Sequence, residues 1–126
     1  MRLLQNLRTN FSILVAALLI SLPVSPAVDN LLPETSAALK RAQELYGSYI
    51  RVTSGFRTPE WNHTVGGVPG SYHLSGEAVD VAMPTNPTQL ARLIWAMTIA
   101  GFKGFGLYDD HCHFDLRKRP TFWRDR

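Results

Sequence analysis

Two histidines and an aspartate are the residues of this chain best suited to do chemistry. His73 and Asp80 lie seven residues apart in Ser71-Tyr72-His73-Leu74-Ser75-Gly76-Glu77-Ala78-Val79-Asp80, and Asp110-His111-Cys112-His113 follows some thirty residues later. Two imidazoles and a carboxylate make a short ligand list for one metal ion. Three such ligands with a fourth position open is how a catalytic zinc is held. The residues around His113 alternate as strand residues do, successive side chains pointing to opposite faces. His111, His113, Asp115 and Arg117 then share one face, and Cys112, Phe114 and Leu116 share the other. The second set is a core face. The first is a row of titratable groups, and two histidines followed by two opposite charges are unusual on a merely solvated face. Asp80 stands between Val79 and Val81, where a buried carboxylate without a partner is costly. A metal ion is one such partner and Arg57 is another.

Other chemistries fail on spacing. Cys112 adjoins His111, but neighbours on a strand face opposite ways, so the thiol reads as a small core residue rather than a nucleophile. Gly66-Gly67 lacks the lysine and helix start of a phosphate-binding loop.

The elements that must position these residues follow from caps and periodicity. Pro33 and Glu34 suit a first helical turn. Ala38, Leu39, Ala42, Leu45 and Tyr46 recur at helical spacing, and Gly47 supplies a stop. Residues 49–53 read as a strand, ended by Ser54-Gly55-Phe56-Arg57-Thr58-Pro59. Residues 60–64 suit a short helical turn, and 66–70 a loop. A second strand covers 78–83. Asn86-Pro87-Thr88-Gln89 then caps a helix whose stripe is Leu90, Leu93, Ile94 and Met97, closed by Gly101. Residues 105–108 and 111–116 form two more strands about a tight Asp109-Asp110 turn. Residues 28–32 read as a linker. The basic cluster Arg117-Lys118-Arg119, with Arg124 and Arg126, reads as a solvated end. The expected fold class is α+β, a small, mainly antiparallel sheet with flanking helices.

Length and composition set the frame. A chain of 126 residues has room for one core, and 45% apolar with 18% charged residues describes a foldable chain. Arg2 and Arg8 precede an apolar run over 11–22, followed by Pro23-Val24-Ser25-Pro26-Ala27. That pattern predicts a signal peptide over 1–27, cut after Ala27, and an exported domain over 28–126. An uncleaved anchor is the alternative, although the run is shorter than the roughly 20 residues of a span. The formal charge is +3; without the two leader arginines, 11 basic residues face 10 acidic ones. No concentrated basic face remains for nucleic acid. A single cysteine excludes an internal disulfide framework. A monomer is expected.

Taken together, the motifs resemble a known family. Ser71-x-His73-x-x-Gly76-x-Ala78-x-Asp80, preceded by Ser54-Gly55-Phe56-Arg57-Thr58-Pro59-x-x-Asn62 and Val65-Gly66-Gly67, is similar to the zinc D-alanyl-D-alanine carboxypeptidase/dipeptidase family, which shares its fold with the Hedgehog signalling domain. Gly104-Phe105-Gly106-x-Tyr108 and His113-Phe114-Asp115-x-Arg117 fit its compact bacterial and phage branch. The resemblance spans residues 31–117. It implies zinc ligands at His73, Asp80 and His113, and a catalytic carboxylate at Asp110, with Asp109 the nearby competitor. It also implies a histidine near the transition state at His111 and an arginine facing the substrate carbonyl at Arg57. Ser71 and Tyr72 either orient the substrate or merely form the turn.

The function so implied is hydrolysis of peptide bonds in bacterial cell-wall (peptidoglycan) stem peptides outside the cytoplasmic membrane. The D-Ala-D-Ala bond is the model, and an internal stem bond is the other choice. A zinc-stabilised peptidoglycan-binding module without activity is the main alternative. An accessory protein docking on anionic polymer through its basic tail is a further one.

Overall fold

The computed structural model describes residues 26–125. The expected leader lies, apart from its last two residues, outside the described residues. Among the described residues, no helix is long and apolar enough to cross a membrane.

A short 3-10 turn, Pro26–Val28, leads into helix α1, Pro33–Tyr46. Residues 28–32 are not the linker expected, because Val28 and Leu31 pack against the core. Proline opens α1, whose fixed φ suits the first turn, and Gly47 closes it at φ 72° with its N–H on the Gln43 carbonyl. Of the expected stripe, Ala38 and Ala42 are buried, Leu39 and Tyr46 are half-buried, and Leu45 is exposed.

Strand β1, Val52–Ser54, is shorter than expected. Its register to β2 (Ala78–Ala82) shifts between Val52, opposite Val81, and Ser54, opposite Asp80. Such an irregularity re-aims the chain that follows, and here it carries Gly55 and Arg57 over the site face. Helix α2, Pro59–Thr64, is capped by Thr58, whose hydroxyl accepts from the Trp61 N–H at 3.2 Å.

Helix α3, Pro87–Ala100, starts on the expected cap, Asn86 Oδ1 accepting from the Gln89 N–H at 2.9 Å, and ends at Gly101. It packs on α1, and the two helices cap one another. Arg41 donates to the carbonyl of Ala100 at 2.9 Å, and Arg92 to that of Tyr46 at 3.0 Å. A cation on each negative helix end is favourable.

Strands β3 (Gly104–Leu107) and β4 (His111–Asp115) form the expected hairpin, closed by the Tyr108 N–H on the His111 carbonyl at 3.0 Å. A fifth strand, β5 (Thr121–Arg124), follows, pairs parallel with β3, and gives the order β1-β2-β4-β3-β5. The C-terminal residues are therefore not simply a solvated end. All the other pairings are antiparallel, and the fold is α+β as expected.

The sheet's inner face carries Val52, Val79, Val81, Cys112 and Phe114 against Leu93, Met97 and Ala100 of α3. Phe114 is bracketed by Phe105, stacked at 5.2 Å, and Phe102, edge-on at 6.3 Å. Cys112 is fully buried, and burial pushes its thiol up to about 11. The thiolate is the reactive form, so the folded protein should leave an aromatic disulfide reagent unconsumed at pH 8. One equivalent should react on unfolding in guanidinium. Rapid labelling of the native protein would contradict this packing.

Candidate metal centre

The opposite face of the sheet holds the site. Asp80 on β2 stands directly across the ladder from His113 on β4. Both lie between core residues in sequence, so strand alternation turns them outward while Val79, Val81, Cys112 and Phe114 turn inward. His73 arrives from the turn before β2. Gly76 makes that turn at φ 72°, where a Cβ would come within 2.9 Å of the Asn30 carbonyl. Thr35 of α1 donates its hydroxyl to the Gly76 carbonyl at 2.8 Å, and the Leu32 N–H does so at 3.0 Å. The first helix thereby pins the loop that carries the ligand.

The three side chains converge. His73 Nε2 lies 3.1 Å from Asp80 Oδ1 and 3.2 Å from His113 Nδ1, and His113 Nδ1 lies 3.0 Å from Asp80 Oδ1. One ligand atom from each residue falls within 4.8 Å of the others. His73 and Asp80 are buried, and the His113 side chain is 12% exposed.

The outer contacts fix which atoms face inward. His73 Nδ1 donates to the Gly55 carbonyl at 2.6 Å; a carbonyl only accepts, so in the neutral ring Nε2 is the lone-pair nitrogen. His113 Nε2 lies 2.9 Å from Asp115 Oδ2. Asp115 also accepts from Arg117 at both oxygens, from Nε at 2.8 Å and from Nη2 at 2.6 Å. Burial alone would raise the Asp115 carboxyl, but the bonds from Arg117 and His113 hold it well below the usual carboxylate range. An ionised Asp115 accepts a hydrogen bond from His113 Nε2–H, and in the neutral ring this leaves Nδ1 as the lone-pair nitrogen toward the centre. Asp80 Oδ2 accepts from Arg57 Nη2 at 2.7 Å, which turns Oδ1 inward. Three potential lone-pair atoms thus meet within hydrogen-bonding distance, an arrangement that a shared proton or a bound cation satisfies. Burial opposes charge on His113, yet its bonds to Asp115 and Asp80 outweigh it and raise its pKa. The centre attracts positive charge. Two imidazoles and a carboxylate, each oriented by a second partner, fit the donor set of zinc.

The other expected site residues are placed as follows. Arg57 is anchored to Ser54 Oγ at 3.1 Å as well as to Asp80. Asp110 sits in the β3–β4 turn with its side chain 88% exposed, paired through Oδ1 with His111 Nδ1 at 2.6 Å. That bond holds its carboxyl below the ordinary range. Ser71 Oγ accepts from the His73 N–H at 3.2 Å, and the Tyr72 ring lies 5.1 Å from the Arg117 guanidinium.

The sequence reading put Asp115 among the titratable row but gave it no role. The alternation His111-x-His113-x-Asp115 was the available signal. The Gly55 carbonyl could not have been read from residue types, since a backbone oxygen has none. Gly104 supports the same group, because a Cβ there would overlap the Asp115 carboxylate.

The Asp115→Asn variant tests this support. Asparagine must turn its N–H₂ toward either Arg117 or His113, and both are donors. Zinc affinity should fall by about 10- to 100-fold in chelator competition, while circular dichroism stays that of the parent. Unchanged affinity would remove Asp115 from the centre.

Comparison with known proteins places the fold and the family. A solved structure, the L-Ala D-Glu endopeptidase ChiX of Serratia marcescens, superposes with a TM-score of 0.55 over 72% of this chain and 84% of that one, at 20% identity. At that identity the likeness is one of fold. No curated protein matches this chain. The family model for peptidase M15 matches residues 14–115, a stretch that contains His73, Asp80 and His113. The chain belongs to the peptidase M15 family, the zinc D-alanyl-D-alanine carboxypeptidase group its motifs resemble.

Proposed function

We propose that this protein is a zinc metallopeptidase that hydrolyses a peptide bond in peptidoglycan stem peptides, outside the cytoplasmic membrane. Family membership supports the reaction class. The observation that carries the metal chemistry is the meeting of His73 Nε2, Asp80 Oδ1 and His113 Nδ1 at 3.0 to 3.2 Å, while the other ring nitrogens face the Gly55 carbonyl and Asp115.

His73, Asp80 and His113 would hold the ion. Zinc so bound supplies a Lewis acid and lowers the pKa of a coordinated water toward about 7. Asp110, kept ionised by His111, accepts the proton of the attacking water and returns it to the leaving amine. His111 Nε2, on the ring edge away from Asp110, donates to the developing oxyanion when the ring carries both protons. Arg57 keeps Asp80 oriented and turns its remaining N–H groups to the substrate carbonyl. Ser71 holds the turn that presents His73.

The choice of bond has two sources of support that point apart. The motifs resemble carboxypeptidases acting on D-Ala-D-Ala, and the fold relative is an L-Ala D-Glu endopeptidase. Incubating the zinc-loaded protein with muropeptides, and reading products by mass spectrometry, separates them. Loss of a terminal D-Ala marks the first, and release of a peptide beginning at D-Glu marks the second. Intact muropeptides, with and without chelator, would overturn the proposal.

A further inference from the structure

Strand β5 brings one side chain against both halves of the site. It lies parallel to β3 with Trp123 opposite Gly106. A Cβ at Gly106 would come 2.5 Å from Cε2 of the indole, so only glycine lets the ring settle against β3. Trp123 Nε1 donates to the Tyr108 hydroxyl at 3.0 Å, and the Tyr108 ring stacks on His111 at 4.4 Å with 8° between planes. The same indole lies 5.3 Å from the His113 ring. The Arg117 guanidinium, committed to Asp115, sits 4.8 Å over the indole and 5.1 Å from the Tyr72 ring. A guanidinium between two aromatic faces is held by cation–π attraction as well as by its carboxylate. The stretch matched by the family model ends at Asp115, so Arg117 and all of β5 lie beyond it.

We infer that Trp123 is a positioning residue of the metal centre, which makes the C-terminal strand part of the site. Through Tyr108 it fixes the plane of His111. Through Arg117 and Asp115 it fixes the ring of His113. The His111 half rests on the peptidase reading; the His113 half rests on geometry alone.

Two variants of Trp123 test this, with Phe122→Ala as the control. Phe122 neighbours Trp123 on β5, is 63% exposed and packs on Phe105 rather than on the site. The readouts are thermal midpoint, zinc affinity by competition with a chromophoric chelator, and kcat and KM on muropeptides. Trp123→Phe keeps a ring against Arg117 and loses the bond to Tyr108. It should bind zinc within about twofold of the parent and lower kcat about fivefold or more with KM unchanged. Trp123→Ala should also weaken zinc roughly tenfold. Phe122→Ala should lower the thermal midpoint and move neither zinc affinity nor kcat. Folded Trp123→Ala with parental zinc affinity would overturn the His113 half. If that variant does not fold, Trp123→Phe with parental kcat overturns the His111 half. A loss of zinc affinity in Phe122→Ala equal to that in Trp123→Ala would reduce Trp123 to a strand anchor. If the parent itself leaves muropeptides intact, the peptidase reading fails, and the zinc arm still decides whether Trp123 supports His113.

Discussion

Replacing Asp80 with alanine should abolish turnover and zinc binding together. Asp80 contributes one of three inward-facing atoms and is also the partner of Arg57 at 2.7 Å. A set of ligands gives a structural zinc about 10–16 kcal/mol, so losing one removes roughly 3 kcal/mol or more, at least 100-fold in affinity. The fold suffers too. The Arg57 side chain is 14% exposed and keeps only the Ser54 hydroxyl. Removing one partner of a buried pair costs on the order of 3 kcal/mol. Metal analysis after dialysis, together with a urea titration, reads both effects. Asp80→Ala with one tightly held zinc and parental activity would mean that the ion sits elsewhere.

The second large effect is expected at Asp110, and it should be of the opposite kind. Its side chain is exposed in a turn and touches His111 rather than the core, so Asp110→Ala should leave the fold and the zinc content intact. Turnover should nevertheless fall by on the order of 10²–10⁴-fold, the usual contribution of a positioned general base. Asp109→Ala is the companion. Asp109 immediately precedes Asp110 in the same turn, and its removal should leave kcat near the parent value. Steady-state rates on muropeptides, read beside zinc content, check the pair. A catalytically inert binding module would show no difference between the variants, and a larger loss at Asp109 would exchange the two roles.

Much of the site was legible because strand alternation is a strong local rule. His111, His113 and Asp115 against Cys112 and Phe114 announced which face was core and which was chemistry. Asp80 between two valines did the same for β2. The helices were legible from their ends, where Asn86-Pro87 and Gly101 carry out the capping their residue types allow. Three features escaped for one shared reason, that their stability comes from distant residues. Strand β5 is four residues long, follows Arg117-Lys118-Arg119-Pro120, and looks solvated until Phe122 is set on Phe105 and Trp123 against Gly106. Val28 and Leu31 looked like linker residues until the core beneath them was known. The late start of β1 at Val52, and its irregular pairing with β2, are recorded by no single-strand pattern.

The role of Asp115 escaped differently. Its type and its face were correct in the sequence, but a carboxylate beside an arginine reads as a surface ion pair. Only the fold shows it fully buried behind His113, where the same pair acts as the brace of a ligand.

X-ray absorption at the zinc edge of the purified, zinc-loaded protein addresses the central claim most directly. One ion per chain, with nitrogen and oxygen neighbours at about 2.0–2.2 Å and the outer-shell pattern of two imidazoles, is the expected result. That pattern should fall to one imidazole in His113→Ala. A sulfur neighbour at about 2.3 Å, which only Cys112 or a methionine can give, or no stoichiometric zinc at all, would contradict it.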